Sequence, residues 1–274
     1  GQPVYRAMIE ALKADGHTVQ HSNNCIPADM CLMWSVQFRH SLRSKIYQWY
    51  KARNIPVLII EVGALQRKTL WRVAINNIDD TAQYGLNQPQ DPQRPRNLGM
   101  HLQPWRRERG ENIYICLQND RCANWPYSEP LNKWLINSVR TIRRVTKRPI
   151  VIRPHPRKRE PIPSEVTRTN NVRVEIPRVD NTDPDGSDFQ QVLNRAWAVV
   201  NVSSNPAIEA VMNGVPVFVG HNNLAAPVGL TDLRRIENPV MPDRSTWLQT
   251  MVHREWSTDE IRQGIPWQRI KPYI

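Results

Sequence analysis

The feature that most constrains this chain is an alternation of short apolar runs with stretches whose apolar residues recur at helical spacing. Runs such as 57–60 and 150–152 are strand-sized, and segments such as 129–145 between them carry apolar side chains every three or four residues. Strands that alternate with helices are typical of a parallel sheet covered by helices. The sequence therefore predicts an α/β protein.

A polar, proline-rich segment at residues 87–96 interrupts this alternation and predicts an exposed loop near a domain boundary. We expect two Rossmann-like, doubly wound halves that face a cleft, the first of them short. The expected domains are 1–108 and 109–244, followed by C-terminal helices in 245–274 that pack back across the cleft. A doubly wound half normally begins with a strand, whereas the first element predicted here is a helix, and whether a strand precedes Gly1 is left open.

The net charge points to a polyanionic partner. The chain has 37 Lys and Arg residues against 25 Asp and Glu, a formal charge of +12, and residues 140–159 contain nine basic residues and no acidic one. The alternative is a solvated basic face that only maintains solubility. The candidate nucleic-acid contacts are Arg106, Arg107, Arg143, Arg144, Arg157, Lys158 and Arg159.

Several classes of protein are disfavoured. No apolar run reaches the roughly 18 residues of a membrane span, and no secretory signal is recognisable. Four cysteines without C-x-x-C spacing predict neither a disulfide framework nor a zinc site. We therefore expect a cytoplasmic protein that binds no metal and does not attach to membranes.

The most informative motif is the run 201–217, NVSSNPAIEAVMNGVPV. A predicted buried strand ends at Ser203, Ser204 and Asn205, and the next residue, a proline, is suited to the first turn of a helix. A helix start with small hydroxyl residues favours phosphate binding, and Glu209 is one turn in, within reach of a ribose diol. The alternative is that Ser204 or Asn205 simply caps the helix.

A second motif, IRPHPR at residues 152–157, ends another predicted strand. Its two prolines fix an extended backbone, which would hold Arg153, His155 and Arg157 at the carboxyl edge of the sheet, where ligands bind in open α/β folds. Guanidinium groups suit phosphate oxygens, and an imidazole adds a donor. A structural role for His155 is the alternative.

Together these motifs resemble the donor half of GT-B glycosyltransferases. The resemblance implies that Ser203, Ser204 and Asn205 hold a nucleotide diphosphate, that Glu209 contacts the ribose, and that Arg153 and His155 lie near the phosphates. It also implies that Gln118, at the end of a neighbouring strand, faces the cleft. The tail, with segments such as 236–244, is similar to that of a group of bacteriophage-encoded glycosyltransferases, and the likeness covers most of residues 55–270.

The resemblance further implies an inverting reaction without a metal or another cofactor, with a UDP-sugar as the favoured co-substrate, because only Glu209 stands where a retaining enzyme would usually show paired glutamates. The general base is expected in the first half, at a strand end. Glu61 directly follows the run 57–60 and is the candidate, with Asp79 and Asp80 as alternatives. Glu61 could instead be a hydrogen-bonding anchor of its loop.

The basic charge and the phage-like tail favour double-stranded DNA as the acceptor, at a 5-hydroxymethylpyrimidine in the host cytoplasm. Two alternatives remain open at this stage. The acceptor could be a polysaccharide or a phosphorylated lipid, or the chain could be a non-catalytic nucleic-acid-binding α/β protein.

Overall fold

A computed structural model of the chain describes residues 2–35, 41–106, 108, 110–122, 125–157, 160–179 and 188–274. Internal contacts divide the chain into two compact units, unit 1 with Gly1–Met100 and Thr246–Ile274, and unit 2 with His101–Ser245. Residues 101–108 thus belong with the second unit, and the C-terminal segment belongs with the first.

The helices and strands follow one another along both units in a single chain order. They are α1 (Gln2–Ala14), β1 (Cys31–Trp34), α2 (Leu42–Lys51), β2 (Val57–Val62), β3 (Leu70–Ile75), α3 (Arg94–Asn97), β4 (Asn112–Cys116), α4 (Leu131–Arg143), β5 (Ile150–Arg153), α5 (Ser164–Thr167), β6 (Val172–Val174), α6 (Phe189–Asn194), β7 (Ala196–Asn201), α7 (Pro206–Met212), β8 (Val217–Val219), α8 (Ser245–Val252), β9 (Glu255–Ser257), α9 (Thr258–Arg262) and α10 (Ile265–Ile270).

The sheet of unit 1 has the order β1-β2-β3-β9. Strands β1 and β2 are parallel, whereas β3 pairs antiparallel with both β2 and β9. Alternate residues of β2 face opposite sides, so that Leu58 and Ile60 pack with α1, α9 and α10, while Val57 and Ile59 pack with α2. The core of unit 1 therefore includes residues from both ends of the chain.

This mixed sheet departs from the doubly wound arrangement expected for the first half. Only the step from β1 through α2 to β2 follows the parallel pattern. Strands β3 and β9 were not predicted from the sequence.

The sheet of unit 2 is parallel throughout its five strands, in the order β6-β5-β4-β7-β8. Counted along this unit, the order is third, second, first, fourth, fifth, which is the Rossmann-like, doubly wound order. The predicted α/β class and the parallel sheet of the second half are confirmed. In such sheets ligands bind at the carboxyl ends of the strands where the strand order reverses, here at β4 and β7.

The central strands of unit 2 form because their apolar runs are buried on both faces. Residues such as Ile113, Ile152 and Val199 are completely buried. Helix α4 turns Leu135 and Ile142, both fully buried, towards this core. The parallel sheet is thus a rigid base for the loops at its carboxyl edge.

Among the helices that the structure describes, none combines the length and the apolar character that crossing a bilayer requires.

Candidate ligand-binding site

Gln118 and Ser203 lie at the point where the strand order of unit 2 reverses. Gln118 follows β4, and Ser203 follows β7. Gln118 Nε2 donates to Ser203 Oγ at 2.8 Å, and the Ser203 backbone N–H donates to Gln118 Oε1 at 2.7 Å. These reciprocal bonds fix the loops after β4 and β7 relative to each other, and they use a glutamine that is only 5% exposed.

Ser204 is fixed by a second amide. Asn201, the last residue of β7, donates from Nδ2 to Ser204 Oγ at 2.7 Å and to Cys116 O at 3.0 Å. Its Oδ1 accepts from the Ser204 N–H at 3.1 Å. Asn201 had no predicted role, because the motif indicates only that it ends a strand.

The two serine hydroxyls therefore each accept a hydrogen bond from a side-chain amide. A hydroxyl whose oxygen accepts from an N–H group keeps its own proton for a different acceptor. The pair Ser203 and Ser204 thus has the polarity that suits an anionic ligand at this edge of the sheet, because phosphate oxygens are acceptors.

Helix α7, which follows the serines, is short and has seven residues. Asn205 precedes it with helical backbone angles, and within the described range 188–274 its side chain makes no capping hydrogen bond. The hydrogen bond that Ser204 Oγ accepts comes from the Asn201 side chain and not from a backbone N–H of α7. The alternative that Ser204 or Asn205 simply caps the helix is therefore not what the structure shows. Glu209 lies on the exposed side of α7, and its contact with a ribose stays a prediction.

Arg153, which was expected near the phosphates, is bound by two carboxylates of its own unit. Its Nη2 donates to Asp188 Oδ1 at 2.7 Å and its Nη1 to Glu175 Oε1 at 2.8 Å, with the residue 4% exposed. Two carboxylates already balance this guanidinium. Arg153 therefore ties β5 to β6 and to the start of α6, and the carboxylates that hold it were not identified from the sequence.

His155 follows β5 at the same edge of the sheet. Its Nδ1 accepts from the Arg157 backbone N–H at 3.1 Å. This bond assigns the proton of the neutral ring to Nε2. His155 is thus a half-buried imidazole whose Nε2–H is a donor, whereas the side chain of Arg157 is exposed.

Cys116, the last residue of β4, has a buried and unreactive thiol. Burial raises the pKa of its thiol to about 12, and the nearby Arg153 only partly opposes this. The group therefore stays protonated at neutral pH. Within the described ranges no three His, Cys, Asp or Glu side chains gather as metal ligands, and the absence of a metal requirement remains a prediction.

Two of the arginines expected to contact nucleic acid take part in local structure. Arg106 donates to Leu193 O at 2.8 Å and to Asn213 O at 3.1 Å, beside the ends of α6 and α7. Arg143 donates to the carbonyls of Thr146 and Arg148, both at 3.0 Å. Such bonds satisfy carbonyls that the helix ends and their following turns leave open.

The basic stretch 140–159 is also divided by β5. Arg143 and Arg144 precede this strand and lie at the amino edge of the sheet, whereas Arg157 follows it at the carboxyl edge. The stretch is therefore not one continuous patch beside the serines. Arg107, Lys158 and Arg159 lie outside the described residues.

In unit 1, Glu61 lies near the carboxyl end of β2 and is only 6% exposed. Its Oε1 accepts from the Val62 N–H at 2.7 Å, while its buried Oε2 has no hydrogen-bond partner among the described residues. Arg72 is opposite Glu61 in the sheet but donates to the carbonyls of Val62 and Ile78. An orphaned buried oxygen is uncommon in native proteins and needs an explanation.

The two alternative bases have partners of their own. Asp79 Oδ1 accepts from the Thr81 N–H and hydroxyl, and Asp80 Oδ1 accepts from Arg254 at 2.8 Å. Of the three carboxylates, Glu61 is thus the one with a buried oxygen that has no hydrogen-bond partner among the described residues.

No family model matches this chain, and no curated protein sequence matches it. Two solved structures from Thermosulfurimonas dismutans show a distant likeness. KpsC, beta Kdo 2,4 transferase, is 17% identical with a TM-score of 0.46, covering 81% of this chain and 78% of that one. KpsC, beta Kdo 2,7 transferase, is 14% identical with a TM-score of 0.49, covering 95% and 89%. At these values the likeness supports neither a fold assignment nor an activity for this chain.

Proposed function

We propose that this protein is a glycosyltransferase that binds a nucleotide-diphosphate sugar, with a UDP-sugar favoured, at the carboxyl edge of the unit 2 sheet. The observation that carries the proposal is the reciprocal pair of Gln118 and Ser203, next to Ser204, at the reversal of strand order. Two hydroxyls with donor polarity at this position suit the diphosphate.

The donor's parts are assigned to individual residues. Ser203, Ser204 and the His155 Nε2–H donate to phosphate oxygens, and Glu209 on α7 hydrogen-bonds the ribose. Asn205 lies beside the phosphates, with a half-buried side chain that makes no capping hydrogen bond to α7. Arg153 is left out of the phosphate contacts, because Asp188 and Glu175 neutralise it.

The proposed reaction is an inverting displacement without a metal. An acceptor hydroxyl oxygen bonds to the anomeric carbon as the bond between that carbon and the phosphate oxygen breaks, and the base takes the hydroxyl proton. Glu61 is the proposed base, supported by its orphaned oxygen at the end of β2. The nucleoside diphosphate leaves with the bonding electron pair, stabilised by the serine and histidine donors.

For the acceptor we propose double-stranded DNA that carries a 5-hydroxymethylpyrimidine. The support is the net charge of +12, because a cationic protein attracts a polyanion. An acidic polysaccharide would be attracted by the same charge, and it is the alternative acceptor.

The donor site is tested by thermal unfolding with UDP, UDP-sugars and other nucleotides. A ligand that binds the folded state stabilises it by about 2.7 kcal/mol at 100 times its Kd. We expect the Tm to rise with UDP or a UDP-sugar, to lose this response in Ser204→Ala, and to keep it in Ser164→Ala, an exposed serine of α5. If no nucleotide raises the Tm and the protein binds DNA in a salt-sensitive way, the proposal of an enzyme is overturned in favour of a non-catalytic nucleic-acid-binding protein.

The acceptor is tested by transfer of labelled sugar to DNA with and without 5-hydroxymethylcytosine, in the presence of EDTA. We expect label only on the hydroxymethylated DNA, with the anomeric configuration inverted. Label on an acidic polysaccharide but on neither DNA would exclude DNA as the acceptor. Undiminished transfer by Glu61→Gln would exclude Glu61 as the base, and Asp79→Asn and Asp80→Asn would be tested next.

A further inference from the structure

Asn223 connects a third loop to the serines. It lies in the turn after β8 and is 1% exposed. Its Nδ2 lies 3.1 Å from both Asn201 Oδ1 and Val202 O, and its Oδ1 accepts from the Ala225 N–H at 2.8 Å. The loops after β7 and β8 are thus joined through one buried amide.

The contact with Asn223 determines which way round the Asn201 amide lies. Asn201 Oδ1 accepts both from Asn223 and from the Ser204 N–H, and Asn201 Nδ2 donates to Cys116 O and Ser204 Oγ. If the amide were turned over, its NH₂ group would meet two donors and its oxygen would meet a carbonyl. The amide is therefore held with its donor directed at Ser204 Oγ.

This orientation matters because a serine hydroxyl can either donate or accept. As long as Asn201 donates to Ser204 Oγ, that hydroxyl cannot turn its proton inward without losing the bond. Its proton is therefore directed to an acceptor outside the network. A site with this polarity selects a ligand with acceptor oxygens.

We propose that Asn201 and Asn223 are positioning residues that hold the Ser204 hydroxyl as a donor to the anionic oxygens of the diphosphate. This inference rests on the proposed function, since it gives the polarity of the same site. Neither amide contacts the ligand in this scheme, and both act through Ser204.

The decisive variant is Asn201→Asp, which keeps the size of the side chain but replaces the NH₂ donor by an acceptor oxygen. The Ser204 hydroxyl would then donate inward to the new carboxylate. We expect the Kd for UDP, measured by calorimetry, to rise at least about tenfold, which corresponds to about 1.4 kcal/mol. Gln191→Glu, the same amide-to-acid change at an exposed position of α6, controls for the added charge and should leave the Kd unchanged.

A double-mutant cycle separates positioning from a general structural effect. If Asn201 acts through Ser204, Asn201→Asp combined with Ser204→Ala will bind UDP as Ser204→Ala does alone. If instead the double variant loses UDP affinity by the product of the two single-variant factors, the two residues act independently and the inference is overturned. Asn223→Ala, which removes the donor to Asn201 Oδ1 without adding charge, provides the same cycle should Asn201→Asp not fold, and its loss should also vanish in the Ser204→Ala background.

Inorganic pyrophosphate, titrated in parallel, distinguishes this inference from the proposed function. If the wild-type protein binds UDP and Asn201→Asp binds it equally well, the inference is overturned and the donor site stands. If the wild-type protein binds pyrophosphate but no nucleotide, and Asn201→Asp loses pyrophosphate, the positioning role is supported and the nucleotide donor is overturned. Binding of neither probe by the wild-type protein overturns both.

Discussion

Gln118 and Ser203 hold each other through two hydrogen bonds of opposite direction, one to the hydroxyl and one from the backbone N–H. The glutamine amide therefore fixes both the path of the loop after β7 and the polarity of its first hydroxyl. Each of the two serine hydroxyls accepts a hydrogen bond from a side-chain amide at the end of a strand. Ser203 accepts from Gln118 after β4, and Ser204 accepts from Asn201 at the end of β7.

Replacing Gln118 by Glu should weaken nucleotide binding. The change keeps an acceptor for the Ser203 N–H but removes the donor to Ser203 Oγ, so the hydroxyl turns towards the new carboxylate. Hydrogen bonds to charged groups are worth about 1.5–3 kcal/mol, so the Kd for UDP should rise about 10- to 100-fold by calorimetry. An unchanged Kd, with Gln191→Glu as the charge control, would remove Ser203 from the phosphate contacts.

Breaking the ion pair of Arg153 should destabilise the protein. Asp188→Asn leaves a buried guanidinium with one carboxylate fewer, and loss of one partner of a buried pair costs about 3–5 kcal/mol. Urea unfolding monitored by intrinsic fluorescence measures the loss. Glu165→Gln removes the exposed pair with Arg140 and should cost less than about 1 kcal/mol. Equal losses in the two variants would contradict the internal role of Arg153.

Arg157 and Arg144 should differ in their effect on DNA binding. Both side chains are exposed, but Arg157 is at the carboxyl edge of the unit 2 sheet and Arg144 is at the amino edge. If the acceptor approaches the proposed donor site, Arg157→Gln should lower the slope of log K against log salt by about one. Arg144→Gln should leave that slope unchanged, and the reverse result would place the DNA at the other edge.

His253 should make stability depend on pH on the acid side of neutrality. It is 2% exposed, its Nε2 accepts from the Asp91 N–H at 3.0 Å, and Gln249 O lies 2.8 Å from its Nδ1. Burial, assisted by Arg269 and Arg94, lowers the pKa of this imidazole below its ordinary value of 6.5.

Because the unfolded chain binds the proton more readily, this contribution to stability is complete above pH 6.5. It is lost as the pH falls through the lowered folded-state pKa. Urea unfolding of the wild-type protein at pH 7.5, 6 and 5 should show the decline, and His253→Gln should flatten it. An equally steep decline in the variant would assign the pH dependence to other groups.

The sequence was sufficient for the parallel sheet and insufficient for the mixed one. Strands β4, β5 and β7 are nearly continuous apolar runs, which is the pattern of strands buried on both faces. Strand β3 interrupts its apolar residues with Arg72, which is buried because the carbonyls of Val62 and Ile78 accept from it. Strand β9 has three residues between helices, too few for a periodic signal.

Some residues of the candidate site could likewise be predicted from the sequence, and others could not. Ser203, Ser204 and Gln118 follow directly from strand ends, because the carboxyl ends of parallel strands meet at one edge. The partners of Arg153 could not be read from the sequence, since Glu175 and Asp188 are 22 and 35 residues away. Asn223 had no signal either, because its role depends on hydrogen bonds across two loops.

The return of residues 246–274 to unit 1 bears on the order in which the protein is made. Strand β9 completes the sheet, and Trp256, Trp267 and Ile270 fill its core. Unit 2 is contiguous, so during synthesis it can close its sheet before residues 246–274 have left the ribosome. Unit 1, although its first strands emerge earlier, completes its sheet last, and until β9 pairs with β3 that strand is an unpaired edge open to association with other chains.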